Sequence, residues 1–416
     1  MSTEATTTTT TTTKKGGPGE FFIIDARTWA RVCALGMKPA VAYLVLARFS
    51  GRDNVHTAAS VKAIEKHTGI ARGRAREAIQ QLIAAGLVRQ TQGGTKPRYE
   101  LAAFAELPGV MPSPDELAVH KRIGEGKAPT RQQRAIAERL LKQGWATRTP
   151  LDAWCAGPLP SAEPEPVWLP NALVTSAAKE PSPVERVRQT TDVMCLRLLV
   201  DLYSEQNLRD DGGVSRKVIF KKHERTKAGE HGAYIVWGFK AEGRTYVRND
   251  SPIALCHRRE PTEAEKKADP HVNGSEDFFK RLTNLERVRL IDWTPYLCDS
   301  EAADAEIIHP LRFIAGAESK SQGPLWALEV CLAVAADEAG SRLLNNRRAD
   351  DSGTYLVPVR RHVEHVAVVS VARLHYRPRT RNTSDWWTTL MKQGPLLVAG
   401  YDAIGAERAL PAKAAG

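Results

Sequence analysis

Residues 57–101 read TAASVKAIEKHTGIARGRAREAIQQLIAAGLVRQTQGGTKPRYEL, and this stretch decides the fold of its part of the chain. The spacing predicts a short helix with Thr57 as N-cap and Val61 and Ile64 turned inward. His67-Thr68-Gly69-Ile70 then makes a tight turn, with Gly69 supplying the left-handed backbone it needs. A second helix is expected from Arg72 to about Ala85, with Ala75, Ile79, Leu82 and Ile83 on one stripe. Arg74, Glu77 and Gln81 leave the opposite side, flanked by Gly73 and Gln80. Leu87 to Gln92 reads as a strand, Gly93-Gly94 as a turn, and Thr95 to Leu101 as the return strand. Upstream, Lys38-Pro39 opens an apolar helix holding Val41, Leu44, Val45 and Phe49, which would complete the core.

The polar side of the second helix carries the chemistry that reads base edges in a major groove, Arg on guanine and Gln on adenine. On these residues, 20–105 resembles the winged helix-turn-helix domains of bacterial transcription regulators and plasmid replication initiators. The resemblance covers about a fifth of the chain and implies duplex-DNA binding. Arg74, Gln80 and Gln81 would lie nearest base edges, with Arg72 and Arg76 holding phosphates beside them. Arg89, Lys96 and Arg98 on the hairpin would touch the backbone or the minor groove. Ala71 departs from the pattern, because the family usually places a Ser or Thr at that cap, worth ~1 kcal/mol.

Charge agrees with such a partner. The chain has 59 Lys/Arg against 48 Asp/Glu, a net +11 over 416 residues, with a pI near 9.4. Residues 20–104 alone hold 13 Lys/Arg against 6 Asp/Glu, so more than half of the excess sits in a fifth of the length. Nucleic acid is the simplest polyanion to satisfy it. A docking module built on the same fold is the competing reading.

The expected fold class is α+β: an N-terminal winged helix-turn-helix, a candidate second, degenerate winged helix, and a C-terminal α/β region. Residues 1–19, with Thr6 to Thr13, read as a disordered tail, and no signal peptide is recognised. Residues 106–166 read as a linker with one helix, expected over Thr130–Gln143. The Pro-rich 155–166 stretch marks the expected domain boundary. Residues 167–300 form the second α+β domain. Ser182-Pro183-Val184-Glu185 starts a helix by a capping box and runs to about Gln206. A basic segment follows over Arg216–Lys227, then two strands around Glu242-Gly243. Residues 259–274 read as a charged mobile loop. Ser275 caps a further helix, and FFKRLTNLERVRLIDW (278–293) resembles a recognition helix entering its wing. An α/β effector or dimerisation domain is the alternative. Residues 301–405 are an α/β region with a buried helix over Leu325–Ala336 and strands at Tyr355–Val359 and His365–Tyr376. Residues 406–416 form a loose tail.

Other chemistries find no motif. Cys33, Cys155, Cys195, Cys256, Cys298 and Cys331 make no CxxC pair, so neither a zinc ribbon nor a redox site is expected, and a reduced, cytoplasmic protein fits. His362-x-x-His365 lies in strand-like sequence, where residues three apart face opposite ways. Cys256-His257 stands without a partner motif. Walker, GxSxG and GxGxxG patterns are absent, and no apolar run nears the ~18 residues of a membrane span. The expectation is therefore no enzyme and no cofactor. The partner expected is double-stranded DNA, with a homodimer as candidate assembly and no membrane. A replication initiator is the preferred role. A transcription regulator with a C-terminal dimerisation or sensing region and a protein-interaction adaptor are the alternatives.

Overall fold

The computed structural model describes residues 21–149, 152–175, 180–231, 234–248, 250–259, 261–268, 274–298, 300–302, 304–305, 307–310, 354–360 and 367–376. The chain is a mixed α+β protein in two compact units, Met1–Glu185 and Arg186–Gly416.

In the first unit, β1 (Phe21–Asp25) leads into α1 (Ala26–Ala34) and α2 (Met37–Arg48). Asp25 caps α1, accepting from the Arg27 and Thr28 N–H groups at 3.0 Å. Its second carboxylate oxygen accepts from the Glu165 N–H at 2.8 Å, so one side chain ties the helix start to a segment far along the chain. Gly36, at φ +100°, turns the chain into α2. Residues 39–47 of that helix are all buried, as a helix apolar on every side must be.

Around α2 sit β2 (His56–Thr57), α3 (Val61–Thr68), α4 (Arg72–Ala84), β3 (Val88–Gln92) and β4 (Arg98–Leu101). The three strands form an antiparallel sheet in the order β2-β4-β3, with Thr57 opposite Tyr99 and Val88 opposite Leu101. Thr57 is thus a strand residue rather than a helix cap; Ser60 precedes α3, and the Thr57 hydroxyl accepts from the Ala59 N–H instead. The return strand begins at Arg98, three residues later than its sequence suggests.

Residues 106–130 are not a plain linker. They contain α5 (Pro114–Gly124), started by a Ser113/Glu116 capping box. The next helix, α6 (Arg134–Lys142), begins four residues after Thr130, and β5 (Ala146–Arg148) and β6 (Trp154–Ala156) follow as a hairpin. Val119, Ile123, Ala137, Leu140 and Ala146 form a core of their own, with Ile136, Trp145 and Trp154 packed against it. The expected boundary at 155–166 is crossed as well. β7 (Pro166–Pro170) pairs antiparallel with β1, Ile23 opposite Trp168, so residues 166–170 complete the first unit.

The expected single helix over 182–206 is broken. α7 (Pro183–Arg188) carries the chain between units, and Thr191 takes φ +62°. Asp192 then caps a new helix, α8 (Val193–Ser204), accepting from the Met194 N–H at 2.9 Å. The second unit continues with β8 (Gln206–Asn207), β9 (Gly213–Val214), β10 (Ile219–His231), β11 (Tyr234–Val247), α9 (Pro252–His257), α10 (Glu263–Ala268), α11 (Glu276–Arg287), β12 (Ile291–Cys298), β13 (Ile307–Pro310), β14 (Thr354–Arg360) and β15 (Ala367–Leu374). The basic 216–227 stretch is largely strand, and Glu242-Gly243 lies within β11 rather than at a turn. Part of the 259–274 loop is α10. The strands of β10–β15 form one antiparallel sheet in the order β13-β12-β15-β10-β11-β14. The strands expected in the C-terminal region correspond to β14 and β15. The Leu325–Ala336 helix and the His362/His365 pair lie outside the described residues. Among the described residues, no helix is long and apolar enough to cross a membrane.

A buried ion pair anchors the second unit. Arg216 and Asp211 side chains are each 6% exposed and meet at 2.6 Å. The Arg216 guanidinium also donates to the Ala305 carbonyl at 2.6 Å. Removing one member strands the other in a poorly solvated site. Arg216→Met is expected to cost ~3–5 kcal/mol in urea unfolding followed by exchange of the second unit's amides. Adding Asp211→Asn should recover part of that loss; no recovery would mean that the geometry, not the charge, is what the pair supplies.

Candidate nucleic-acid interface

The turn between α3 and α4 is held from several sides. Gly69 sits at φ +63°. The buried Thr68 hydroxyl donates to the Ile64 carbonyl at 2.6 Å and accepts from the Ile70 N–H at 3.3 Å. From much further along the chain, the Ser182 hydroxyl donates to the His67 carbonyl at 2.6 Å. The His67 ring lies 5.2 Å from that of Phe49. Burial lowers its pKa, and the nearby Lys66 and Arg48 cations lower it further. No side chain caps α4 at Ala71. Instead the Arg72 guanidinium meets the Glu65 carboxylate at 2.6 Å, pinning the start of α4 to α3.

Ala75, Ala78, Ile79 and Leu82 bury one face of α4. Ala78 completes the stripe, and Ile83 is only half-buried. The other face exposes Arg72, Gly73, Arg74, Arg76, Glu77, Gln80 and Gln81 together. The hairpin presents Arg89 on β3, Arg98 at the start of β4, and Lys96 in the loop between, where Gly94 takes φ +90°. All three are exposed. The eight residues singled out from sequence are thus all at the surface, on one helix and the hairpin that follows it.

They are not electrically equivalent. Arg72 is tied to Glu65, and Arg89 is shared between Glu106 at 3.3 Å and Glu100 at 3.8 Å. Arg74, Arg76, Lys96 and Arg98 make no salt bridge among the described residues. These four keep their charge available to an outside anion, whereas Arg72 and Arg89 must first leave a carboxylate.

The end of α4 sets the direction of the hairpin. Gly86, at φ +72°, lets its N–H donate to Ile83 and the Leu87 N–H donate to Leu82, both at 2.9 Å. This is a Schellman closure, and Leu82 and Leu87 are both buried. The Ala102 N–H then returns to the Leu87 carbonyl at 3.1 Å. The sequence places the end of this helix near Ala85 and the start of the strand at Leu87 without singling out Gly86, and the same corner recurs after α6. There Gly144 takes φ +74°, its N–H reaches Leu141 at 3.1 Å, and the Trp145 N–H reaches Leu140 at 2.8 Å. The signal for α5 that went unread was Ser113-Pro114-Asp115-Glu116, the same helix-start word as Ser182-Pro183-Val184-Glu185.

Among the described residues, no group of three or more His, Cys, Asp or Glu side chains is placed to hold a metal ion. The chain matches no family model, no curated protein and no solved structure.

A side chain at either corner glycine is strained by the positive φ, by ~1–2 kcal/mol. At Gly86 a Cβ would also sit 3.2 Å from Pro108 Cδ, while at Gly144 it meets nothing within 4 Å. Gly86→Ala is therefore expected to lower the melting temperature more than Gly144→Ala, read by circular dichroism. Equal shifts would remove Pro108 from the account.

Proposed function

We propose that this chain is a sequence-specific duplex-DNA-binding protein of a bacterial mobile element, acting as a replication initiator, and that residues 20–105 are a winged helix. The observation that carries this reading is the exposed face of α4. It joins two cations that make no salt bridge among the described residues, Arg74 and Arg76, to the amides of Gln80 and Gln81, and a hairpin with Lys96 and Arg98 follows. The element order supports it too: a buried helix, a short strand, two helices joined by a glycine turn, then a hairpin whose second strand pairs with the first short one. In this arrangement phosphate contacts supply most of the affinity and base contacts the specificity.

The initiator role draws support from the second unit, which we read as a degenerate winged helix. α11 ends as α4 does: Arg289 at φ +56°, its N–H on Glu286 at 2.9 Å, and the Leu290 N–H on Leu285 at 2.9 Å. The His375 N–H returns to Leu290 at 3.0 Å, and Ile291 lies opposite Leu374. β9 takes the place of the first short strand; a Cβ on Gly213 would fall 2.5 Å from the Ala372 carbonyl oxygen of β15. The long β10–β11 hairpin is then an insertion between β9 and α9. Thiols at Cys155, Cys195 and Cys256, with no disulfide among the described residues, suit a reducing, cytoplasmic setting.

One observation favours the regulator reading. A cleft of about 490 Å³ in the second unit is lined by Arg244, Tyr246, Arg258, Phe278 and Phe279 among others, a lining suited to an aromatic anion. Selection of duplex sequences by the full chain separates the two roles. Directly repeated copies of a motif support initiation, and a single palindrome supports regulation by a dimer.

On the selected site, Arg74→Ala is expected to cost ~1–3 kcal/mol and relax sequence preference. An equal loss on random DNA would make Arg74 a phosphate contact only. Lys96→Ala with Arg98→Ala should weaken all sequences alike and reduce the salt slope by ~2. An unchanged slope would place the hairpin away from DNA.

A further inference from the structure

The segment after the first hairpin repeats it. Displaced by 58 positions along the sequence, Leu82, Ile83, Gly86, Leu87 and Val88 become Leu140, Leu141, Gly144, Trp145 and Ala146. The backbone follows the same displacement. Ala85 N–H to Gln81 becomes Gln143 N–H to Arg139, both at 3.0 Å, and the two corner bonds described above recur one for one. Ala102 N–H to Leu87 has its counterpart in Gly157 N–H to Trp145 at 2.9 Å. Val88 opposite Leu101 becomes Ala146 opposite Ala156. Each copy also has a leading helix followed by a left-handed glycine, Gly69 after α3 and Gly126 after α5. Gly157 belongs to this pattern, because a Cβ there would fall 2.8 Å from the Gly144 carbonyl oxygen.

The copy keeps the polar face as well as the corner. Arg131, Gln132, Arg134, Glu138, Arg139 and Lys142 are exposed on α6 and the turn before it. Arg139 is drawn toward Glu116 at 3.4 Å, and Glu138 is held by Arg148 at 2.6 Å. Arg131, Arg134 and Lys142 make no salt bridge among the described residues. The free cations Arg131 and Arg134 therefore lie at and just before the start of α6, as Arg74 and Arg76 lie in the first turns of α4. That is the part of a recognition helix that reaches base edges. A helix whose outward face served only solvation would not need the corner and the hairpin rebuilt behind it.

We propose that residues 113–157 are a second duplex-DNA reader, with α6 as its groove helix and Arg131, Gln132 and Arg134 as its contacts. The proposal rests on the reading of α4 as the first. Residues 102–113 separate the two modules and span at most about 40 Å if fully extended. Both readers therefore engage one duplex within little more than one helical turn, ~34 Å, of each other. The target is a composite site of two blocks, not a single groove segment.

The test is sequence selection and hydroxyl-radical footprinting with the full chain on duplex DNA. Three proteins are compared: the unaltered chain, an Arg131→Ala/Arg134→Ala variant, and an Arg74→Ala/Gln80→Ala variant. All four side chains are exposed, and thermal unfolding confirms that each variant folds. The expected result is a two-block motif. The α6 variant randomises one block, shortens the footprint on that side and weakens the selected site about 10-fold or more. The α4 variant randomises the other block. A motif lost in the α4 variant but unchanged in motif, footprint and affinity in the α6 variant overturns this proposal alone and leaves α6 a solvated or protein-docking face. No enriched sequence with the unaltered chain overturns the DNA-binding reading and this proposal together.

Discussion

A helix that presents side chains to a partner is only as well aimed as its last turn. In α4 that turn is closed by two hydrogen bonds that a left-handed Gly86 makes available, and the chain leaves it directly as β3. The corner fixes the angle between the helix and the hairpin, so the Arg74 face and the Lys96 loop move as one piece. Val88, buried at the first position of β3, then locks the corner to the core beneath. The same constraint recurs after α6 and after α11. In the third case a non-glycine residue, Arg289, accepts the left-handed conformation. The price there is ~1–2 kcal/mol, carried by the larger sheet into which β12 is woven.

The electrostatics of the first unit sort its cations into two kinds. Arg72 and Arg89 are engaged within the fold: one pins the start of α4 to α3 through Glu65, and the other braces the hairpin against Glu100 and Glu106. Arg74, Arg76, Lys96 and Arg98 make no such ion pair among the described residues. The distinction is invisible in the sequence, where all six are simply basic residues on an exposed face. It arises because Glu65, Glu100 and Glu106 come from three different elements that only the tertiary fold brings to these arginines.

Much of the first unit was legible because its signals are local. The 3.6-residue spacing of Ala75, Ile79 and Leu82, the glycine at 69 and the Gly93-Gly94 pair each act within a few residues. What was missed depends on context. Pro114 and its neighbours read as linker punctuation, yet a proline at the first helical position is a start signal once Ser113 and Glu116 close around it. The Ser182 helix read as continuous because nothing in Thr190-Thr191 announces a left-handed residue. The basic 216–227 run became an interior strand of the six-stranded sheet, its charges drawn out along the aliphatic stems and over rings, as with Lys221 above Trp293 at 4.4 Å. The boundary near 155–166 failed for a topological reason. β7 belongs to the first unit only through a pairing with β1, and no short window contains both strands.

That pairing also sets a timetable. β1 leaves the ribosome well ahead of Pro166–Pro170, against which it docks, because residues 26–165 come between them. At ~5–20 residues per second the wait is roughly 7–30 s. Throughout it, Phe22 and Ile24, both buried in the finished unit, sit on a strand whose edge is unfilled. The helices and the two hairpins can form in that interval, so the nascent chain holds its polar surface before it has closed its own seam. A cell making this protein must shelter one short apolar strand until the last strand of the unit arrives.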